Sequence, residues 1–500
     1  MSSSHLRART RAPNAAPNIH RSGEEAAISH TEVANAVATF RDNALTLLSF
    51  MHWIDLPWHS QIILAQGARA CNASAIHGGI VRKICVVGQG YVGLPLAMRC
   101  VEAGHDVVGY DLDEERVKSL TVGESYVGDV SNEQLTGAIA TGRYLASSDE
   151  TSLTGFDVAV ITVPTPLRDR RPDLSLVESS ARAVARHIRI GCLVVLESTS
   201  YPGTTRELLA PILAEVSGLE PGKDFHLAFS PERIDPGNDV WTLRTTPKLV
   251  AGINGSSRAA AATFYSRIVD VIVPVSGLGE AELAKLLENT FRHVNIALVN
   301  ELAILSHELG INLRESIRAA STKPFGFMPF LPGPGAGGHC LPIDSSYLSW
   351  QVQKSLGRSF RFVELANDIN TQMPDYVVQR VTRGLNERGQ AVKGSQILVL
   401  GLAYKRNIGD ARESPAVRVT ELLLSLGADV RAADPHVPLT YHDIDARVRR
   451  VDATSEEAVA SDVVILLVDH DAFDLEALVP QCSYFLDCRG RARGPAVEIL

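Results

Sequence analysis

Ile84-Cys85-Val86-Val87-Gly88-Gln89-Gly90-Tyr91-Val92-Gly93 decides the fold of this chain. A short β-branched run that meets Gly-x-Gly-x-x-Gly is a strand turning sharply into a helix. The first glycine makes the turn. The second lets backbone approach a pyrophosphate at the helix N-terminus, where unpaired N–H groups point outward, and the third packs helix against strand. Leu94 to Ala103 continues as that helix and Gly104 ends it, and Asp106-Val107-Val108-Gly109-Tyr110 forms a second strand ending at Asp111. An acid about 20 residues after such a motif suits a hydrogen bond to an adenosine ribose and repels a 2′-phosphate. The stretch therefore predicts binding of NAD rather than NADP, with Gly88, Gly90, Tyr91, Val92, Gly93 and Asp111 around it.

Working outward, Phe156–Val163, Cys192–Ser198 and Phe225–Phe229 read as further buried strands. Ligands of open parallel sheets sit beyond the carboxyl ends of the strands. Thr165, Thr199 and Glu232 all fall at such ends. From Glu280 to Leu309 apolar residues recur at helical spacing without Pro or Gly, which predicts one long helix. Lys285 and Asn289 share a face of it, and on a buried face both need partners. Helical patterns continue from Phe362 to Gly389.

Gln396–Tyr404, Asp429–Pro435 and Asp462–Val468 then open a second, smaller set of strands, with Ser414-Pro415 starting a helix that Gly427 ends. The loop Lys405–Glu413 brings Lys and Arg to the strand ends, as a diphosphate would require. The fold class is α/β, two doubly wound Rossmann-like domains joined by a long central helix. The expected divisions are an N-terminal extension over 1–80, an NAD-binding domain over 81–276, a helical middle over 277–392 and a second Rossmann-like domain over 393–500.

Between the halves lies Pro332-Gly333-Pro334-Gly335-Ala336-Gly337-Gly338-His339-Cys340-Leu341-Pro342-Ile343-Asp344. Four glycines and two prolines before a thiol describe backbone shaped to approach something closely. The other six cysteines are scattered, without a C-x-x-C pair, which suits a reducing compartment and provides neither a zinc site nor a disulfide framework. Cys85, Cys100 and Cys192 read as small core hydrophobes. A net charge of −9 argues against a general nucleic-acid binder, and no apolar run reaches the ~18–20 residues of a membrane helix. The expected location is cytoplasmic, with no nucleic-acid or membrane partner. Met1 to about Glu25 has little to bury and reads as disordered. The whole segment 1–80 reads as dispensable or even untranslated, with the working protein starting near Val81.

From about Arg82 to Leu500 the chain resembles the nucleotide-sugar 6-dehydrogenases, the family of UDP-glucose and UDP-N-acetylmannosamine dehydrogenases. The marks are Gly88–Gly93, Ser230-Pro231-Glu232, Glu282 through Asn289, Gly337 through Asp344 and Lys405 through Pro415. The run Lys323–Gly335 looks most like the UDP-N-acetylglucosamine branch. The resemblance implies a homodimer or higher homo-oligomer built on the central helix, with 277–392 as the dimerisation domain and 393–500 as the domain that binds the UDP-sugar. It also implies oxidation of the sugar C6 alcohol to a carboxylate with two NAD, for polysaccharide biosynthesis. Cys340 matches the family nucleophile, Asp344 and Lys285 its acid/base and oxyanion-stabilising partners, and Asn289 an oxyanion ligand. Thr199 and Glu232 match residues orienting the catalytic water. Asp111, Arg116, Thr165, Thr199 and Arg412 match cofactor contacts. Lys405, Arg489 and the loop with Phe330, Leu331 and Gly333 match substrate contacts, joined by Glu232, Lys285, Asn289, Lys323 and Gly337. No metal is implied. Three positions depart from the pattern: Pro236 replaces a second glutamate, Ile343 a lysine, and Lys323 an arginine offered by the neighbouring subunit.

The chemistry explains why a cysteine accompanies NAD. An aldehyde lacks the extra oxygen needed to lose a second hydride. A thiolate adding to it makes a thiohemiacetal that can lose one, leaving a thioester for water to cleave. A free thiol is only a few per cent ionised at neutral pH, so the nearby cation Lys285 helps. His339, beside the thiol, is the weaker candidate for a base. Two other classes fit parts of the pattern: a two-electron dehydrogenase, which leaves Cys340 idle, and a non-catalytic nucleotide-sugar sensor. The joint presence of Cys340, Lys285, Asn289 and Asp344 argues against the sensor. Among sugars, UDP-glucose and UDP-N-acetylmannosamine are the alternatives.

Overall fold

The structure, a computed structural model, describes residues 82–168, 171–234, 238, 240–338 and 341–500. The expectations for 1–80, Pro236, the Ile343 side chain, His339 and Cys340 lie outside the described residues.

The first half is an eight-stranded sheet in the order β10-β9-β8-β7-β4-β1-β2-β3. Its strands are β1 (Lys83–Val87), β2 (Asp106–Tyr110), β3 (Tyr144–Ser147), β4 (Val158–Ile161), β7 (Leu193–Leu196), β8 (His226–Phe229), β9 (Lys248–Gly252) and β10 (Ile272–Pro274). A small hairpin, β5 (Leu167–Arg168) with β6 (Arg171–Pro172), stands apart. Strands β3 through β8 pair in parallel, and β9 meets β8 antiparallel. The inner strands are buried along almost their whole length, as near-continuous apolar runs are when helices cover both faces. Cys85, Cys100 and Cys192 lie in these cores, as expected.

The second half repeats the plan on a smaller scale. Strands β11 (Gln396–Leu400), β12 (Asp429–Ala433), β13 (Arg449–Arg450), β14 (Val463–Leu466), β15 (Phe485–Asp487) and β16 (Val497–Ile499) are all parallel, in the order β13-β12-β11-β14-β15-β16. Ser414 caps the helix Pro415–Ser425 by accepting from the Ala416 N–H at 3.2 Å, with Pro415 where its missing N–H costs nothing. Between the halves runs the central helix, Leu278–Glu308, with the helix Arg361–Glu387 packed alongside it. One helix was not expected. Leu341–Leu356 starts directly after the glycine-rich loop, because Pro342 in a first turn needs no N–H donor.

The first turn shows why its third glycine is needed. A Cβ on Gly93 would lie 1.8 Å from the Gly88 carbonyl oxygen and 2.6 Å from Thr162 Oγ1. The Thr162 hydroxyl itself bonds Val87 O at 2.9 Å and Gly88 O at 2.8 Å, so neither neighbour can retreat. Gly93→Ala is expected to lower stability by at least the ~1–3 kcal/mol of ordinary overpacking. Thermal unfolding checks this, and a variant melting with the wild-type protein would show that helix and turn do not pack so closely.

Candidate active site

The glycine turn is built to be approached. Gly88 has φ +92° and donates its N–H to Tyr110 O at 2.8 Å, while a Cβ on Gly90 would meet nothing within 4 Å. The helix Gly93–Glu102 begins without a side-chain cap; the Leu94 N–H is taken by Gly90 O at 3.1 Å and Pro95 has none, so the N–H groups of Val92 and Gly93 are those left for a ligand. Asp111 is buried at the tip of β2. Its Oδ2 accepts from the Gln89 N–H at 2.7 Å and its Oδ1 from the Asp113 N–H at 3.0 Å. Arg116 Nη1 lies 3.8 Å from Asp111 and Nε 3.3 Å from Asp113. The acid expected to meet a ribose thus also holds the glycine turn in shape, and two N–H donors leave it further acceptor sites.

The central helix carries the polar core of the site. Glu282, Lys285 and Asn289 follow at helical spacing on its buried face. Glu282 accepts from the Gly203 N–H at 2.7 Å, the Thr205 N–H at 2.9 Å and the Thr205 hydroxyl at 2.6 Å. Burial pushes its carboxyl above the ordinary range and these donors pull it back. Asn289 Nδ2 donates to Asp344 Oδ2 at 2.5 Å. Asp344, 3% exposed, sits in the first turn of Leu341–Leu356, where the helix dipole favours an anion. Burial raises it to about 6, against the opposing charge of Lys285 and the Asn289 bond. Lys285 is 9% exposed and makes no hydrogen bond or ion pair among the described residues. Nearby, Thr165 is buried and its carbonyl accepts from the Tyr347 hydroxyl at 2.5 Å, while Thr199 is half-buried just beyond β7. Glu232 is half-buried and accepts from the Ile234 N–H. Arg233 binds Glu288 of the central helix at 2.6 Å and Pro247 O at 2.7 Å.

The glycine-rich loop does approach something closely, and that something is the second half of the chain. A Cβ on Gly337 would lie 2.5 Å from Pro415 Cδ and 2.8 Å from Glu413 O, and one on Gly338 would lie 2.7 Å from the Tyr404 ring. The Gly333 N–H donates to Asn300 Oδ1 at 3.0 Å, and a Gly333 Cβ would meet Arg489 Nη1 at 2.9 Å. Asn300 in turn donates to Asn370 Oδ1 at 2.9 Å. Asn370 reaches His293 Nδ1 at 3.4 Å, and His293 Nε2 faces Asn367 Oδ1 at 2.8 Å. Those partners assign the proton to Nε2, and burial holds the imidazole below its usual pKa.

Gly333, Gly337 and Arg489 therefore gather round one loop, with Lys405 following Tyr404 in the chain, and Lys285, Asn289 and Asp344 gather round one buried point. Arg412 lies 5.4 Å from the Tyr91 ring centroid, joining the loop of the second half to the glycine turn, with its guanidinium gripped by Asp410. In the loop Lys405–Glu413, Arg406 pairs with Asp471 and lies 3.8 Å from Asp469. Lys323 and Leu331 are exposed and stand apart from the rest, Lys323 with its amine over its own Phe325, while Phe330 packs edge-on against Phe291.

Three family models match consecutive parts of the chain: the NAD binding domain of the UDP-glucose/GDP-mannose dehydrogenase family over 82–269, its central domain over 279–372 and its UDP binding domain over 398–492. The chain belongs to the UDP-glucose/GDP-mannose dehydrogenase family. It is 35% identical over 392 residues to the UDP-N-acetyl-D-mannosamine dehydrogenase of Pyrococcus horikoshii, covering 78% of this chain and 90% of that one. It is 33% identical over 394 residues to the UDP-N-acetyl-D-glucosamine 6-dehydrogenase of Salmonella typhi, covering 78% and 90%. The solved structure of the Pyrococcus horikoshii UDP-D-ManNAc dehydrogenase superposes with a TM-score of 0.76 at 32% identity, over 83% of this chain and 98% of that one. A UDP-glucose dehydrogenase from Pyrobaculum islandicum superposes at 0.76 with 29% identity, over 85% and 98%.

As a member of this family the chain is an NAD-dependent nucleotide-sugar dehydrogenase, and the residues present fit the cofactor. Gly90 opens onto free space, the helix start is uncapped and Asp111 retains acceptor capacity. Among the described residues no group of three His, Cys, Asp or Glu side chains could hold a metal, and no helix is long and apolar enough to cross a membrane. Sequence reasoning passed over Arg233, His293, Asn300, Asn370 and Tyr347. Polar residues recurring on one face of an otherwise apolar helix, as Glu282, Asn289, His293 and Asn300 do, were the available signal.

Two outcomes follow from this geometry. Gly90→Ala is expected to leave the melting temperature unchanged and to weaken NAD binding, since its methyl meets only the space a ligand would enter; fluorescence titration with NADH reads this. Asp344 ionises near 3.8 when unfolded and near 6 when folded, so the folded state holds the extra proton between these values. Stability therefore falls as pH rises through that window. Asp344→Asn is expected to abolish turnover. It is also expected to stabilise the protein above pH 6 by on the order of 3 kcal/mol at most, an advantage that shrinks toward pH 3.8. Thermal melts across pH check the sign.

Proposed function

We propose that this enzyme oxidises the C6 hydroxyl of a UDP-sugar to a carboxylate by way of a thiohemiacetal and a thioester on Cys340. The observation that carries the reading is the buried meeting of Lys285, Asn289 and Asp344 at the start of the helix that follows Cys340 in the chain. Bound NAD accepts one hydride from C6 at each of two steps, and water supplies the second carboxylate oxygen. Lys285 and the Asn289 amide hold the charge that develops on the sugar oxygen, stabilisation worth roughly 3–4 kcal/mol per donor. Lys285 also favours the thiolate, as does the positive end of a helix opening at Leu341. Asp344 takes a proton from the hydrolytic water, which Thr199 and Glu232 orient.

For the sugar we infer a UDP-N-acetylhexosamine. The run Lys323–Gly335 favours N-acetylglucosamine, and the Pyrococcus horikoshii relative, by its name, favours N-acetylmannosamine. Arg489, Lys405 and the Gly333 backbone are the groups for the UDP end. We also infer a homodimer. Leu283, Leu287, Phe291, Leu298, Leu302, Leu305 and Leu309 form an exposed stripe along the central helix, and Phe325, Phe327 and Met328 are exposed too. An apolar face of this length on a soluble enzyme needs a cover. A second copy would also bring the exposed Lys323 segment to its partner.

The test counts NADH per sugar across UDP-sugars, with the product identified by mass. Two NADH and an acid are expected. Cys340→Ser is expected to bind NADH normally and make no acid. One NADH per sugar, or acid from Cys340→Ser, would remove the cysteine from the reaction.

A further inference from the structure

Thr199 follows β7 and Glu232 follows β8, and both strand ends rest on one buried ionic cluster. Glu197, between β7 and Thr199, is 1% exposed. Its Oε1 lies 3.1 Å from Lys248 Nζ and accepts the Tyr265 hydroxyl proton. Lys248 is buried as well. It stands on β9, which runs antiparallel to β8, and its amine also donates to the Pro231 carbonyl at 3.2 Å. The amine lies 5.2 Å from the Tyr265 ring centroid. Ser230, next to Pro231, donates its hydroxyl to Leu249 O at 2.7 Å.

A cluster of this kind is a poor choice for stability alone. Apolar residues of like volume do as well in the place of a buried ion pair, or better. Glu197 Oε2 is moreover buried without a hydrogen-bond partner among the described residues, so the carboxylate is under-satisfied. Burial raises its pKa, Lys248 and Tyr265 lower it, and the charge of Glu232 raises it further. What apolar residues cannot do is hold a carbonyl at a fixed place. Lys248 does so at Pro231, one residue before Glu232.

We propose that Lys248, clamped by Glu197 and Tyr265, is a positioning residue of the dehydrogenase: it fixes the Pro231 carbonyl and so the direction in which Glu232 leaves the strand end. Through Glu197 the same clamp ties down the β7 end that carries Thr199. The cluster touches neither sugar nor cofactor; its effect passes through those two residues. This rests on reading Glu232 and Thr199 as groups of the active site.

The decisive protein is the double variant Glu197→Gln/Lys248→Met, which removes both charges together and leaves no unpaired ion. NADH titration counts intact binding sites, and kcat is expressed per site. A drop in kcat per site on the order of 10- to 100-fold is expected for side chains displaced by about 1 Å, larger than any loss of NADH affinity that the shift of Thr199 brings. A purely structural cluster would lower the number of sites and leave kcat per site alone. That result, or a wild-type kcat, overturns the proposal. Tyr265→Phe, which loses only the hydroxyl, serves if the double variant does not fold. A lower kcat per site supports the clamp, and a wild-type value overturns it. Should the wild-type enzyme release one NADH per sugar, the thioester reading fails, while the effect of the cluster is still read on that single step.

Discussion

Glu282 anchors the central helix to the NAD-binding half. Two backbone N–H groups and one hydroxyl close on its carboxylate from the segment after β7. A buried carboxylate without such donors costs several kcal/mol, and each hydrogen bond to a charged group returns roughly 1.5–3 kcal/mol. The helix therefore has one favourable rotation about its axis. With that rotation set, Lys285 and Asn289 face Asp344, and Leu287, Phe291 and Leu298 face outward. One constraint thus turns a polar face toward the candidate site and leaves an apolar face exposed.

The glycine-rich loop is held from three sides. The ladder His293–Asn370–Asn300 takes the Gly333 N–H, while Tyr404 and Pro415 press on Gly337 and Gly338. Side chains at those glycines would collide with ring carbons and a carbonyl oxygen, groups that cannot swing aside. The segment leading to Cys340 is thereby clamped between the central helix and the UDP-binding domain.

The two Rossmann-like halves put the same residue type to different uses. Each has an aspartate just beyond its second strand. Asp434 accepts from the backbone N–H groups of Leu402, Ala403, His436 and Val437 and from His470, so its acceptor capacity is filled from within the protein. Against the burial that would raise it, His470 and those donors hold its carboxyl far below the usual range. His470 Nδ1 in turn accepts from the Asn407 N–H at 2.9 Å, beside Lys405. Asp111 accepts from only two backbone groups and keeps room for a ribose. The difference explains how a repeated fold gives one nucleotide site shaped by a carboxylate and another shaped by a loop.

Local patterns in the chain determined its elements. β-Branched runs, the Gly88–Gly93 turn, the 3.6-residue rhythm of the central helix and the Ser414-Pro415 cap are each settled within a few residues, because strand burial, turn geometry and capping act over that distance. They placed both halves and the central helix within a few residues of where these lie, and the same spacing put Lys285 and Asn289 on one face. Tertiary structure alone decided the rest: that Gly337 and Gly338 of the Cys340 loop lie against Pro415 and Tyr404, that Arg406 pairs with Asp471, and that Glu197, Lys248 and Tyr265 meet beneath Pro231. Those outcomes depend on which distant segments share a buried volume. Burial is what turns an ordinary charge or amide into one that must find a partner, and no spacing along the chain records it.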